Sequence, residues 1–228
     1  MIGSSGRQDL DRDGGILLAS KLNGREMDKL THLADRHASG PGGRIFDPPA
    51  HLKTLLSTGF LGRIGSEILG ETARPVRILL FDKTPTANWA VPWHQDRTIA
   101  VQERSPRPGF ETWTTKSGVP HVEPPFDYIE SMISLRLHLD DCGGDNGPLK
   151  IIPGSHRLGK LTDSDIRELS ARQQSRTFRA ARGDVLVLHT SIIHASDRAA
   201  NPARRRVLHV DFSARDLPEG LEWAIGQF

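Results

Sequence analysis

Cysteine is almost absent: Cys142 is the only one in 228 residues, so neither a disulfide framework nor a multi-cysteine zinc site can be built within the chain. Long apolar runs are missing too. None approaches the roughly 20 residues a membrane span requires, and the start of the chain lacks the apolar stretch of a signal peptide. Charge of one sign is also lacking. Thirty Lys and Arg stand against 28 Asp and Glu, a net +2, which carries no signature of a nucleic-acid or anionic-membrane partner. No repeat or low-complexity tract occurs. These absences lead to the expectation of a soluble, cytoplasmic protein, and the length suits a single domain, residues 1–228, with a core of its own.

What the chain does contain is turn chemistry. Its 22 glycines and 15 prolines are together roughly one residue in six, which favours a loop-rich β architecture. Residues 1–70 read as mostly helical. Met1–Gly14 is polar and expected to be loosely held. Ile16–His37 carries Leu18, Leu22, Leu30 and Leu33 at helical spacing. A Gly/Pro-rich stretch at 40–49 breaks the pattern, and Ala50–Leu69 repeats it. After Gly70 short β-prone runs take over: Pro75–Phe81, Thr98–Val101, Ile133–Leu139, Leu149–Ile152, Asp184–Leu188 and Arg206–Phe212, separated by Gly, Pro and Asn turns. Thr162–Arg172 is the one helix expected inside this half, opened by Thr162-Asp-Ser-Asp165. Residues 71–213 therefore suggest a β-sandwich or jelly roll.

Trp93-His94-Gln95-Asp96 holds the most informative chemistry. In an extended chain His94 and Asp96 project from one face, which brings an imidazole and a carboxylate to one point. That is two-thirds of the 2-His-1-carboxylate triad that holds non-haem Fe(II) and leaves coordination positions open. His-x-Asp alone is a weak signal. A second stretch strengthens it: Gly183-Asp-Val-Leu-Val-Leu-His189-Thr-Ser-Ile-Ile-His194-Ala-Ser reads as a strand and a turn with two histidines, either of which could complete the triad. Arg204, Arg205 and Arg206 follow. Alternation divides them, since Arg206 shares a face with apolar Leu208, Val210 and Phe212, whereas Arg205 shares the other with Val207 and His209.

Four segments in order resemble the phytanoyl-CoA dioxygenase-like Fe(II)/2-oxoglutarate oxygenases: Trp93-His-Gln-Asp96, Asn146-Gly-Pro-Leu-Lys-Ile-Ile-Pro-Gly-Ser-His156, Gly183 to Ser196, and Arg205-Arg-Val-Leu-His-Val-Asp-Phe212. The resemblance covers roughly residues 75–213. It implies a double-stranded β-helix, a jelly roll of cupin type with helices backing one sheet. It implies Fe(II) on His94, Asp96 and His194, with His194 preferred over His189 because a small residue follows it. It further implies that Arg205 holds the far carboxylate of 2-oxoglutarate, a fit for a forked guanidinium, and that Gln95 lies near the cosubstrate. The implied reaction consumes O2 and 2-oxoglutarate, releases succinate and CO2, and hydroxylates an unactivated C–H of a small molecule. Asp96 argues against halogenation, for which the family replaces this carboxylate with Gly or Ala.

Two other readings stay open at this level: a non-catalytic small-molecule binder on the same fold, and a cupin-type metalloenzyme that does not use 2-oxoglutarate. His189 and His209 read as pocket or structural histidines, and His156 as a turn-stabilising one. The stretch 97–121 has little regular pattern. Its cations, Arg97 among them, and Trp113 suggest either a lid over an anionic substrate or a solvated basic loop.

Overall fold

The computed structural model describes residues 2–19, 21–37, 42–226 and 228. From the N-terminus, α1 (Gly3–Asp13) leads into β1 (Gly15–Leu18), α2 (Gly24–His37), β2 (Gly42–Arg44), α3 (Ala50–Ser57) and α4 (Phe60–Leu69). Then follow β3 (Arg74–Lys83), β4 (Val91–His94), β5 (Ile99–Ala100), β6 (Glu111–Lys116), β7 (Val119–Glu123), α5 (Phe126–Glu130), β8 (Ile133–His138) and β9 (Leu149–Ile151). A 3-10 turn at Ser155–Arg157 precedes α6 (Asp163–Arg172), β10 (Arg176–Phe178), β11 (Val185–His189), β12 (His194–Ser196) and β13 (Arg205–Ser213).

The strands form a jelly roll. A six-stranded sheet in the order β1-β11-β8-β13-β3-β2 faces a four-stranded sheet, β10-β9-β12-β4, and a small sheet, β5-β7-β6, stands beside them. All pairings are antiparallel. Alternation along the strands sorts the large sheet's two faces. Ile78 and Leu80 of β3, Ile133, Leu135 and Leu137 of β8, Val185 and Val187 of β11, and Leu208, Val210 and Phe212 of β13 form one apolar cluster with the helices. Leu30 and Leu33 of α2, Leu52 and Leu56 of α3, and Leu61 and Ile64 of α4 complete it. Each such fully buried side chain contributes about 1.5–3 kcal/mol relative to exposure. The opposite face of the same strands carries Arg77, Lys83, Arg136, His138, Arg205 and His209, turned towards the four-stranded sheet.

Two capping boxes set helix starts. Asn23 and Glu26 exchange side-chain to backbone bonds ahead of α2 (2.9 and 3.0 Å), and Thr162 and Asp165 do the same for α6. The second is the Thr-x-x-Asp visible in the sequence.

The N-terminal third departs from the expected pattern in three places. Residues 3–13 are not loose but form α1, which is fixed by tertiary contacts. Leu10 is fully buried, the Ile2 N–H donates to the Glu67 carboxylate at 3.0 Å, and Arg7 donates to the Ile68 carbonyl at 2.9 Å. Ile16–His37 is not one helix. Gly14, at φ 80°, closes α1 and turns the chain into β1, which pairs with β11 from Gly15↔Leu188 to Leu18↔Val185. Ala50–Leu69 is two helices parted at Thr58-Gly59. The break expected at Gly40-Pro41 lies outside the described residues, as does Met1. Residues 97–121 are also more regular than expected, since β5, β6 and the start of β7 come from them. Ile99, Val101, Phe110, Val122, Tyr128 and Trp223 pack that sheet onto its own apolar cluster. No helix among the described residues is long and apolar enough to cross a membrane.

Candidate metal centre

His94 ends β4 and His194 opens β12, and the two face one another as a register pair of neighbouring antiparallel strands. Their rings stand 4.2 Å apart between centroids. Asp96 follows two residues after His94, and its Oδ2 lies 3.9 Å from His194 Nε2. One ligand atom from each of the three residues can be chosen so that all lie within 4.8 Å of one another.

The two imidazoles are prepared in the same way. His94 Nδ1 bonds the Pro92 carbonyl at 2.8 Å, and His194 Nδ1 bonds the Ile192 carbonyl at 3.0 Å. A backbone carbonyl accepts only, so Nδ1 carries the proton and the Nε2 lone pair is left to point at the partner residues. Burial, then the nearby Arg136, holds the His194 pKa well below its ordinary value, so the ring is neutral at physiological pH. For Asp96 burial would raise the pKa, but the permanent charge of Arg77 overrides it and holds the carboxyl well below the usual range. Imidazole nitrogens and an ionised carboxylate are the donor set a divalent transition metal requires. The residues present fit Fe(II).

Cations surround this centre. Arg77 Nη2 is 3.7 Å from Asp96 Oδ2, and its Nε donates to buried Asp211. Asp211 also takes a hydrogen bond from His209 Nε2 at 2.7 Å. Arg136, in mid-β8, places Nη2 3.1 Å from His194 Nε2 and 4.0 Å from Asp96. Elsewhere along the same cavity Arg205 and Lys83 are a register pair of β13 and β3. Among the described residues Arg205 hydrogen-bonds only to Cys142 Sγ (3.8 Å), and its buried Nε has no partner there. Lys83 Nζ donates to Ser196 Oγ at 3.1 Å and lies over the Trp89 ring. Burial, followed by Arg205, lowers the Lys83 pKa to about 8. The Cys142 thiol is pushed up by burial and stays protonated. This group of donors is built to receive an oxyanion.

The other residues singled out in the sequence sit elsewhere. Arg206 turns to the helical side and pairs with Asp140 (2.6 Å) and with Asp35 of α2 (2.8 Å). Arg204 pairs with Asp82 and Asp35. The Gln95 carboxamide is consumed by Gly159 O, Ser191 O and Leu161 N, on the face away from the cavity. His189 stacks on His156 at 4.6 Å and is not among the cavity's lining residues. Burial lowers the His189 pKa to about 4. Arg97 bonds Leu161 O and Asp163, and Trp113 packs on the cluster of the small sheet. His209 does line the cavity, held by Ser134 and Asp211. Arg77, Lys83, Arg136 and Ser196 went unnoticed in the sequence. The signal for three of them is an inward-facing cation in a strand whose alternate residues are apolar.

The phytanoyl-CoA dioxygenase (PhyH) family profile matches residues 61–207. The dioxygenase lolE1 of Epichloe uncinata is 28% identical over 67% of this chain and 62% of its own length. The ectoine dioxygenase of Halomonas elongata is 23% identical over 90% of this chain and 68% of its own length. The chain thus spans about two-thirds of these two relatives. The crystal structure of EctD from S. alaskensis with 2-oxoglutarate and 5-hydroxyectoine superposes with a TM-score of 0.70 at 18% identity, over 93% of this chain and 76% of that one, a likeness of fold.

Proposed function

This chain belongs to the phytanoyl-CoA dioxygenase family, and on that premise we propose that it is an Fe(II)- and 2-oxoglutarate-dependent dioxygenase that hydroxylates a C–H bond of a small molecule. The observation that carries the reading is the grouping of His94, Asp96 and His194 in a cavity that Arg205 also lines. His94, Asp96 and His194 would hold the iron. Bound there with 2-oxoglutarate, Fe(II) supplies the oxidising chemistry, in which O2 is consumed, succinate and CO2 are released and one oxygen atom enters the substrate.

The chain's own contribution is positioning and exclusion of water. The Nδ1–carbonyl bonds fix both imidazole planes before any metal arrives. Arg77 ties Asp96 to Asp211, so the carboxylate stays ionised and oriented. Arg205, with Lys83 and Ser196 beside it, would take the distal carboxylate of 2-oxoglutarate. Leu79, Phe81, Leu149, Leu186 and Val207 line the remaining wall and keep the cavity apolar between its charged groups. The activity named for one relative, the ectoine dioxygenase of Halomonas elongata, supports a small-molecule substrate.

The test is an anaerobic titration of the Fe(II)-loaded protein with 2-oxoglutarate, followed by the visible charge-transfer band of the chelate. The band should appear in the wild type and vanish in Asp96→Ala and His194→Ala. Iron binding without the band would point instead to a metalloprotein that does not use 2-oxoglutarate, and no iron binding would leave a non-catalytic binder.

A further inference from the structure

Arg136 has a partner problem that the proposed chemistry does not solve. It stands in β8, the third strand of six in the large sheet, and its side chain is 12% exposed. Its described partners are two, His194 Nε2 and Asp96 Oδ2; its Nε is buried without any. Both partners are metal ligands on the reading above. An imidazole nitrogen has a single lone pair, so when His194 Nε2 ligates iron it no longer accepts from this guanidinium, and Asp96, 4.0 Å away, lies beyond hydrogen-bond reach. The other buried carboxylate nearby, Asp211, is already engaged by Arg77 and His209. A buried guanidinium whose donors find no acceptor is costly, even with carboxylates in its neighbourhood.

The charge balance of the cavity points the same way. Four cationic side chains, Arg77, Lys83, Arg136 and Arg205, line it against the two carboxylates of Asp96 and Asp211. A ferrous ion adds two positive charges and 2-oxoglutarate removes two, so the surplus of two positive charges survives loading. Outside the lining residues, Arg44 and Lys116 lie close enough to Arg77 for its charge, after burial, to act on both, and they extend the positive field. The Nε and Nη2 atoms of Arg136 form one edge of the guanidinium, the edge that matches a carboxylate through two parallel bonds.

We propose that Arg136 is the substrate anchor of this enzyme and takes a carboxylate of the substrate beside the metal, which makes the substrate class small carboxylic acids. The inference rests on the Fe(II)/2-oxoglutarate reading of the same cavity. The anchor lies on a central strand and not on a mobile loop, so the distance from the acid group to the reacting carbon is fixed by the sheet.

Acetate is the probe, applied to protein loaded with redox-inert Ni(II) and saturating 2-oxoglutarate and read by thermal shift and calorimetry. A four-atom ligand is expected to bind in the millimolar range. Acetate should raise the melting temperature saturably, while neutral acetamide of the same shape and equimolar chloride should not. Arg136→Gln should weaken acetate at least about tenfold and leave Ni(II) stoichiometry and the 2-oxoglutarate Kd within about threefold of wild type. Arg136→Lys keeps the charge without the fork and should fall between the two, which preserves the test should Arg136→Gln fold poorly. Absence of acetate binding in the wild type, equal binding of acetamide, or unchanged acetate Kd in both variants would overturn the proposal. A tenfold loss of 2-oxoglutarate affinity in Arg136→Gln would overturn it too, by assigning the residue to the cosubstrate. Failure of the wild type to take up Ni(II) or 2-oxoglutarate at all would instead refute the underlying functional reading.

Discussion

Replacing Asp211 with Asn tests whether a buried ion pair holds the carboxylate of the metal centre in place. Arg77, 9% exposed, lies between Asp211 and Asp96, and Asp211 is 1% exposed. Removing one member of a buried pair costs about 3–5 kcal/mol, because the remaining charge stays buried. Asp96, 3.7 Å from Arg77, takes up part of that charge, so the lower end applies, about 3 kcal/mol. At about 2–4 °C per kcal/mol for a chain of this size, the melting temperature should fall by about 6–12 °C. The dependence on pH has a definite sign. Burial would raise the Asp211 pKa, but Arg77 and His209 override it and lower the value, below the about 3.9 of an unfolded aspartate. A depressed carboxylate stabilises the fold above the unfolded pKa and loses that contribution as pH falls through the folded one. The gap between wild type and Asp211→Asn should therefore be full at neutral pH and shrink below about pH 4. Urea denaturation of the metal-free proteins at a series of pH values measures it. A loss at pH 7 under about 1 kcal/mol, or a gap that widens on acidification, would refute the reasoning.

Three further outcomes are expected. His194→Ala should abolish stoichiometric iron binding measured by metal analysis, while His189→Ala, stacked on His156 away from the cavity, should retain it; the reverse ranking would mean that the wrong histidine was assigned. Arg205→Ala should raise the half-saturating 2-oxoglutarate concentration by about tenfold or more, as expected for loss of a charge-assisted pair, and Arg204→Ala and Arg206→Ala, which face Asp82, Asp140 and Asp35, should leave it near wild type. Gly65→Ala would set a methyl group 2.7 Å from the Phe212 ring, an overpacking that costs about 1–3 kcal/mol; chemical denaturation should show that loss with iron affinity unchanged.

Legibility in the sequence followed the source of each element's stability. In β13, one face packs on helices and the other lines the cavity, so the alternation of Arg205-Arg206-Val207-Leu208-His209 was enough to separate the two faces. His-x-Asp was visible because its geometry is local. The facing of His94 and His194 is a pairing across about 100 residues, and no local rule reaches that far. Helix α1 was hidden because its sequence is polar apart from Leu10, and contacts of Ile2, just before it, and of Arg7 with Glu67 and Ile68 of α4 hold it. Gly15-Ile-Leu-Leu18 is a four-residue apolar run, which periodicity cannot assign to helix or strand; pairing with β11 decides. The region 97–121 was unreadable for a related reason. All but one of the β6 residues are exposed, so no buried face imprinted a period of two.

The large sheet explains how a chain of 228 residues can hold so many buried charges. Its outer face carries the apolar cluster shared with α1 to α4, and that burial supplies the stability the inner face lacks. Relieved of packing duty, the inner face of β3, β8 and β13 can carry Arg77, Lys83, Arg136, Arg205 and His209 at fixed spacing, each on a strand with neighbours on both sides. Rigid strands suit these groups because a buried cation gains most when its anion arrives in one geometry. The same arrangement has a thermodynamic consequence. With more cations than carboxylates in the cavity, self-repulsion opposes the compact state until anionic ligands enter. Ligands that bind only the folded chain stabilise it in proportion to their occupancy. Loading with the metal alone adds positive charge to a positive cavity, whereas loading with metal and 2-oxoglutarate together does not, so the two should bind with positive coupling, each strengthening the other's hold.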